Sequence, residues 1–431
     1  MKRVYNNFIK NSAGEVFPRV LPKVISRVIS RGISKSLPIS GVFFVMVFGI
    51  FLNSCSLFVK EKIILWTDQP EAAAYVEYFN SLHNFSKVEI CYKENILKEL
   101  SDIKKQPAAQ HPDLVMGYRL NSLNSSENYR SLDKLLGDDK IDPKNFYTGI
   151  LSTGRENGRQ MLLPVSFNLP TLIFNRKINE KVSSITISLD EIKNLCKEFN
   201  KTQGSHLKKL GFSPFWNEDF IYYVAVLFGN SFSKREEGNI NVEDAKIKDA
   251  QNYIFSWIKE INGGYKIERA FTEKYINVPM YKLVDDGRIL FAFISSKDLL
   301  SIPEEKRKDL TFRWLSYKDK IPVEDDILYA GISAAAENRR GAEIFMKWLF
   351  TPSVQKELIK INHFKRLNIF GVCNGFSAFK KVTEREIPNE SQMFLGHIPP
   401  ADFLIFPEPK PADWNSTKER LISEWFVDEK K

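Results

Sequence analysis

Leu163-Pro-Val-Ser-Phe-Asn-Leu-Pro-Thr-Leu-Ile-Phe-Asn-Arg176 belongs to two apolar runs, 161–167 and 171–175, parted by a break at Pro170. Each run is too short for a helix and is rich in strand formers, so two strands are predicted. Upstream, Lys62-Ile-Ile-Leu-Trp66 reads as a buried strand closed by the turn Thr67-Asp-Gln-Pro70. A helix over 72–79, a strand over 87–92, a helix over 95–104 and a strand over 112–116 follow it. Strands alternating with helices predict an α/β fold, an open parallel sheet covered on both faces.

Downstream the mixture continues without an internal repeat. Ser188 stands three residues before Glu191, a capping-box spacing that opens a helix over 189–200. Further helices are predicted over 220–228, 245–261, 275–285, 341–349 and 353–362, and strands over 289–294 and 327–332. The proline-rich stretch 388–411 reads as extended, and a closing helix is expected over 414–426.

The chain has 431 residues, 43% hydrophobic and 27% charged, which fits a folded body of two domains or two lobes. Its net charge of +9 is uneven: residues 1–54 carry eight basic side chains against one acid, Glu15, so only two net positive charges belong to the remainder. The basic balance therefore gives no reason to expect nucleic acid as a partner. In the same leader, Gly41-Val-Phe-Phe-Val-Met-Val-Phe-Gly-Ile-Phe-Leu52 is an apolar run of 12 residues, short of the roughly 20 a spanning helix needs. It is followed by Asn53-Ser54-Cys55, and Leu52–Cys55 resembles a bacterial lipobox. A signal peptide over 1–54, lipid on Cys55 and a tether over 55–61 are expected. The basic segment ahead of the apolar run is longer than a signal n-region, so a translation start downstream of Met1 is expected as well.

Removing Cys55 leaves Cys91, Cys196 and Cys373, with no CxxC spacing; free thiols are the simpler reading, with one disulfide left open. The five histidines are scattered, and GxxxxGK[ST], HExxH and GxSxG are missing from the sequence. No cofactor, metal or catalytic residue is called for.

Four stretches in this order carry a family resemblance: Lys62–Trp66, His111-Pro-Asp-Leu-Val-Met116, Leu163–Arg176, and Ala330-Gly-Ile-Ser-Ala-Ala-Ala-Glu-Asn338 with the helix pair after it. The chain from about Lys62 onward resembles the extracellular solute-binding protein family of ABC importers, of the maltose-binding type. The resemblance implies a two-lobed, periplasmic-binding-protein-like fold, each lobe an open sheet flanked by helices, with three crossovers and hinge closure on a ligand. Crossovers near Phe167, Tyr329 and Ser377 would give one lobe of 62–167 plus 329–377 and another of 168–328 plus 378–431.

Ligands of open α/β sheets sit beyond the carboxyl ends of strands. Candidate ligand-binding residues are accordingly Trp66, Asp68, Tyr118, Asn168, Trp216, Asp219, Tyr222, Ser295, Ser296 and Trp414. By resemblance, Asn168 falls where the family has a sugar-binding carboxylate and Trp414 where it has a stacking tryptophan. Gly117, about Leu120 and about Lys297 replace three other ligand groups of a maltose site, so maltose is not predicted. Tyr222 and Tyr223 are adjacent on a predicted helix and point about 100° apart, which disfavours shared ligation of ferric iron.

The expected function is that of a lipid-anchored, non-enzymatic binding protein of an ABC importer. It would face the periplasm or exterior as a monomer, capture a small polar solute, chiefly a carbohydrate, and present it to the permease subunits. The alternatives are a surface enzyme acting on glycans and a non-transport adhesion or signalling lipoprotein on the same fold.

Overall fold

The computed structural model describes residues 61–182, 184–204, 206–234 and 240–425. The leader, its apolar run and Cys55 lie outside the described residues. Ten strands form the two main sheets: β1 (Glu61–Thr67), β2 (Ser86–Tyr92), β3 (Leu114–Tyr118), β4 (Leu163–Phe167), β5 (Pro170–Asn175), β6 (Thr186–Ser188), β7 (Ala292–Ser295), β8 (Leu310–Ser316), β9 (Leu328–Ile332) and β10 (Phe376–Ser377).

The first sheet has six strands in the order β10-β4-β9-β3-β1-β2. Its central strands β4 and β9 are buried at every position, as an apolar run covered on both faces should be. The helix α1 (Ala72–Leu82) supplies the β1-to-β2 crossover that parallel strands require, β3 also runs parallel to β1, and α2 (Ile96–Ser101) and α8 (Arg339–Leu349) add their buried faces to the same core. The sheet is mixed, however, where a parallel one was expected: β9 runs antiparallel to both β3 and β4, and β10 antiparallel to β4. β9 arrives from the second sheet rather than over a covering helix, so its direction is not constrained by a βαβ connection.

The second sheet has four strands, β7-β5-β8-β6, with β5 antiparallel to both neighbours. Helices α3 (Leu189–Phe199), α4 (Glu218–Leu227) and α5 (Asp244–Glu260) pack with it around Phe174, Trp257 and Phe291 in one apolar cluster. The capping box at α3 forms as its spacing predicts: the Glu191 N–H donates to Ser188 Oγ at 3.2 Å and the Ser188 N–H to Glu191 Oε2 at 2.7 Å. The helix expected over 275–285 is replaced by two, α6 (Tyr265–Tyr275) and α7 (Met280–Asp285), because Pro279 ends any helix running through it.

The chain passes between the sheets within two residues at Asn168-Leu169, and again over 317–327. After β10 it first packs against α9 (Pro352–Phe364) through Val382 and Ile387. It meets the second sheet near Phe394 and His397, where the Trp314 indole donates to the His397 carbonyl at 2.7 Å. This stretch is therefore not extended throughout: 382–390 is helical, and the pairing of Leu404–Ile405 with Ile321–Pro322 comes only later. Helix α10 (Trp414–Trp425) closes the described chain against the second core. Cys91, Cys196 and Cys373 are free thiols, the latter two buried. Among the described residues no helix is long and apolar enough to cross a membrane.

Candidate functional site

Two adjoining cavities, sharing Asp326 and Asn415 in their walls, lie where the sheets meet. The larger, about 450 Å³, takes Asp68, Tyr118 and Arg119 from the carboxyl ends of β1 and β3, and Asp413, Asn415 and Ser416 from the start of α10. Its size falls within the roughly 300–1,000 Å³ of small-molecule sites. The smaller, about 220 Å³, is lined by Asp219, Ser295, Lys297, Glu324, Asp326 and Lys418 among others.

The segment Val323-Glu-Asp-Asp-Ile327 sets three successive carboxylates at the junction. Asp325 borders the smaller cavity, but both of its oxygens are engaged by protein donors. It accepts from the Tyr222 hydroxyl at 2.9 Å and the Trp414 indole N–H at 2.8 Å, and lies 3.8 Å from Lys410 Nζ, whose side chain is 3% exposed. Burial holds the Lys410 ammonium below its ordinary value despite Asp325. Asp326 pairs with Arg119 Nε at 3.2 Å and Lys297 Nζ at 3.8 Å. Glu324 is 7% exposed, and its Oε2 accepts from the Ser295 hydroxyl at 2.8 Å. Burial pushes the Glu324 carboxyl up to about 7, against the opposing pull of Lys297 and Ser295. Burial depresses Lys297, but Glu324, Asp326, Asp298 and Asp219 raise it further, so it is held charged. Burial also raises Asp68, whose Oδ1 accepts from Gln69 Nε2 at 2.6 Å. Arg119 reaches the cavity from a left-handed backbone, φ 54°. That conformation costs an L-residue roughly 1–2 kcal/mol, and such strain concentrates at functional positions.

Of the ten residues singled out by sequence, Asp68 and Tyr118 line the larger cavity, and Asp219, Ser295 and Trp414 line the smaller. The other five line neither. Trp66 is fully buried beneath Lys93, whose Nζ sits 4.1 Å over its ring. The indole N–H of Trp216 donates to Thr272, and its ring stacks on Phe271. Tyr222 is buried behind Asp325. Asn168 and Ser296 knit the junction: Asn168 Oδ1 accepts from Ser296 Oγ at 2.7 Å, and Asn168 Nδ2 donates to the Asn374 carbonyl at 3.2 Å. The Asn168 carbonyl accepts from the Glu324 N–H at 2.9 Å, so the side chain and backbone of one residue tie together the segments on which both sheets end.

Trp414 does line the smaller cavity, but only 1% of it is exposed and its indole edge is committed to Asp325. Its ring packs on Tyr222 at 5.6 Å and Phe232 at 6.0 Å, so it braces the wall and offers little stacking face. Sequence reasoning had not selected Arg119, Glu324–Asp326, Asn415 or Lys418. The available signal was the triple acid set between apolar Val323 and Ile327, immediately before a fully buried strand. Among the described residues no group of three or more histidine, cysteine or acidic side chains could hold a metal ion.

No protein-family model and no curated protein matches the chain. Solved structures do. The sugar-binding protein MalE of the phytopathogen Xanthomonas citri matches with a TM-score of 0.65 at 12% identity, covering 85% of this chain and 91% of that one. An ABC substrate-binding protein of Listeria monocytogenes in complex with cycloalternan gives 0.59 at 14%, covering 85% and 92%. A Thermus thermophilus maltotriose-binding protein bound with maltotriose gives 0.53 at 16%, covering 85% and 94%. The chain has the two-lobed α/β fold of these sugar- and substrate-binding proteins.

Proposed function

We propose that this protein is a solute-binding protein of an ABC importer that captures a small polar solute, of the carbohydrate class, between its two lobes. The observation that carries the reading is the larger cavity. Its walls come from the carboxyl ends of strands in one sheet and from a helix packed on the other, so a bound solute would contact both sides and favour closure. Solved structures of this fold hold oligosaccharides in their own complexes, which supports the class of ligand. The walls carry polar and charged groups suited to hydroxyl and amine donors.

In this reading the lobes are 62–167 plus 329–377 and 168–328 plus 378–431, hinged at the Asn168 knot, with 378–390 still packed on the first lobe before the chain crosses. The protein performs no chemistry; permease subunits take the solute from it, and their ATPase supplies the energy. Lipid on Cys55 holds the monomeric body at a membrane of the cell envelope, facing the periplasm or exterior. Thermal unfolding of the full chain with a panel of oligosaccharides, amino sugars and polyamines tests the reading. A ligand at 100 times its dissociation constant stabilises by about 2.7 kcal/mol. Absence of any shift across the panel would overturn it. Labelling with radioactive palmitate, lost in Cys55→Ala, tests the anchor separately.

A further inference from the structure

The carboxylates around the smaller cavity are not equally compensated. Asp219 pairs with Lys418, Asp326 with Arg119 and Lys297, and Asp325 with Lys410. Among the described residues Glu324 and Asp298 of this cavity have no cation within ion-pairing distance; Asp298 is exposed, whereas Glu324 is buried, and Lys297, on the same cavity, attracts Glu324 only from beyond that distance. One Glu324 oxygen, Oε2, accepts the Ser295 hydroxyl; the other, Oε1, has no protein donor and belongs to a side chain 93% buried in the cavity wall. A buried carboxylate with no cation in contact is costly, and a cation that enters beside it offsets part of that cost.

The rest of the wall points the same way. Neutral sugars are commonly held by an open aromatic face, yet in this wall Tyr223 and Trp414 are only 5% and 1% exposed, and half-buried Phe293 packs its ring against Phe220 and Tyr223. Anionic solutes would meet five carboxylates, Asp219, Asp298, Glu324, Asp325 and Asp326, against two lysines, Lys297 and Lys418, a net like-charge juxtaposition.

We propose that the solute carries a protonated amino group that sits against Glu324 Oε1 in the smaller cavity, while its hydroxyl- or amine-bearing remainder extends past Asp326 into the larger one. The inference rests on the solute-binding reading above and narrows its ligand to an amine, carried either by an amino sugar or by a polyamine.

Isothermal titration calorimetry on the full chain, near neutral pH, separates the possibilities with four probes: the glucosamine dimer, its di-N-acetylated counterpart, spermidine and maltotriose. Binding of the glucosamine dimer or of spermidine about tenfold or more tighter than either neutral probe is the expected result, and whichever amine binds identifies the source. Added salt weakens that binding on the unaltered chain, and Glu324→Gln weakens it by a similar factor. If maltotriose or the acetylated dimer binds as tightly as the amines, the amine assignment is wrong and the solute-binding reading stands. If none of the four binds, both fall.

Discussion

Replacing Glu324 with glutamine should alter the pH dependence of stability in a way that follows from its burial. The carboxyl is held at about 7, against an ordinary value of 4.5, because its site is dry. At about 1.4 kcal/mol per pH unit, that difference amounts to roughly 3 kcal/mol. The folded protein retains this proton where the unfolded chain has already released it. Stability is therefore full below about pH 4.5 and falls as pH rises through about 7. The groups facing the carboxyl are Ser295, Lys297, Asp326 and Asp219; Lys297 and the Ser295 hydroxyl oppose the loss, and the two aspartates add to it. Glutamine keeps the shape and can still accept from Ser295, but has no proton to lose. Urea midpoints measured from about pH 5 to about pH 8 should therefore match at the acid end and diverge upward, with the variant more stable by up to roughly 3 kcal/mol at pH 8. Parallel profiles, or a wild type that gains on the variant as pH rises, would refute the account of Glu324 as a desolvated acid.

Two further substitutions probe the junction. Asp325→Ala leaves the buried Lys410 ammonium without its counter-charge and strands the Tyr222 and Trp414 donors, so a loss of about 3–5 kcal/mol is expected in urea unfolding. A loss below about 1 kcal/mol would mean that water reaches the pair. Asn168→Ala removes the side-chain bonds to Ser296 and Asn374 and should cost about 1–3 kcal/mol. It should also broaden the interlobe distance distribution measured by paired spin labels, whereas a surface asparagine would change neither.

The scaffold was more legible in the sequence than the site, for a physical reason visible at particular residues. β4, β5 and the capping box of α3 are determined locally: apolar runs bounded by proline, and a serine three residues before a glutamate. β8 escaped notice because Thr311 and Arg313 interrupt its apolar pattern. Arg313 is tolerated there because its guanidinium donates at 2.7 Å to the carbonyls of Phe312 and Val182. The direction of β9 could not be read either, since strand direction depends on where the chain returns from. For the cavity, choosing aromatic side chains at strand and helix ends favoured residues the packing then consumed: Trp66 beneath Lys93, Trp216 against Phe271, Tyr222 behind Asp325. The acids that do face the space, Glu324 and Asp326, sit in a run that by composition resembles an ordinary solvated turn. Only three-dimensional placement separates an acid with a lysine beside it from one without.

In the proposed function that placement would join binding to motion at one residue. The Glu324 N–H is held by the Asn168 carbonyl at the point where the chain crosses between sheets, while its side chain lines the cavity. Under the proposed function, a solute contacting Glu324 would pull on the segment that bends as the lobes approach. Differential contact of that kind is the condition for a ligand to shift an equilibrium between open and closed forms. The neighbouring Asp326 extends the coupling. It reaches Arg119 at the carboxyl end of β3 and Lys297 just beyond β7, so one carboxylate already spans both sheets. A cation seated beside Glu324 would share the attraction of this acidic segment with Lys297, while Asp326 keeps the closer Arg119, so the cation would add a link across the same gap without removing the Arg119–Asp326 pair. In the proposed function, recognition and closure therefore draw on the same short acidic segment, whose Glu324, Asp325 and Asp326 meet the cavity, the buried Lys410 and the opposite lobe in turn.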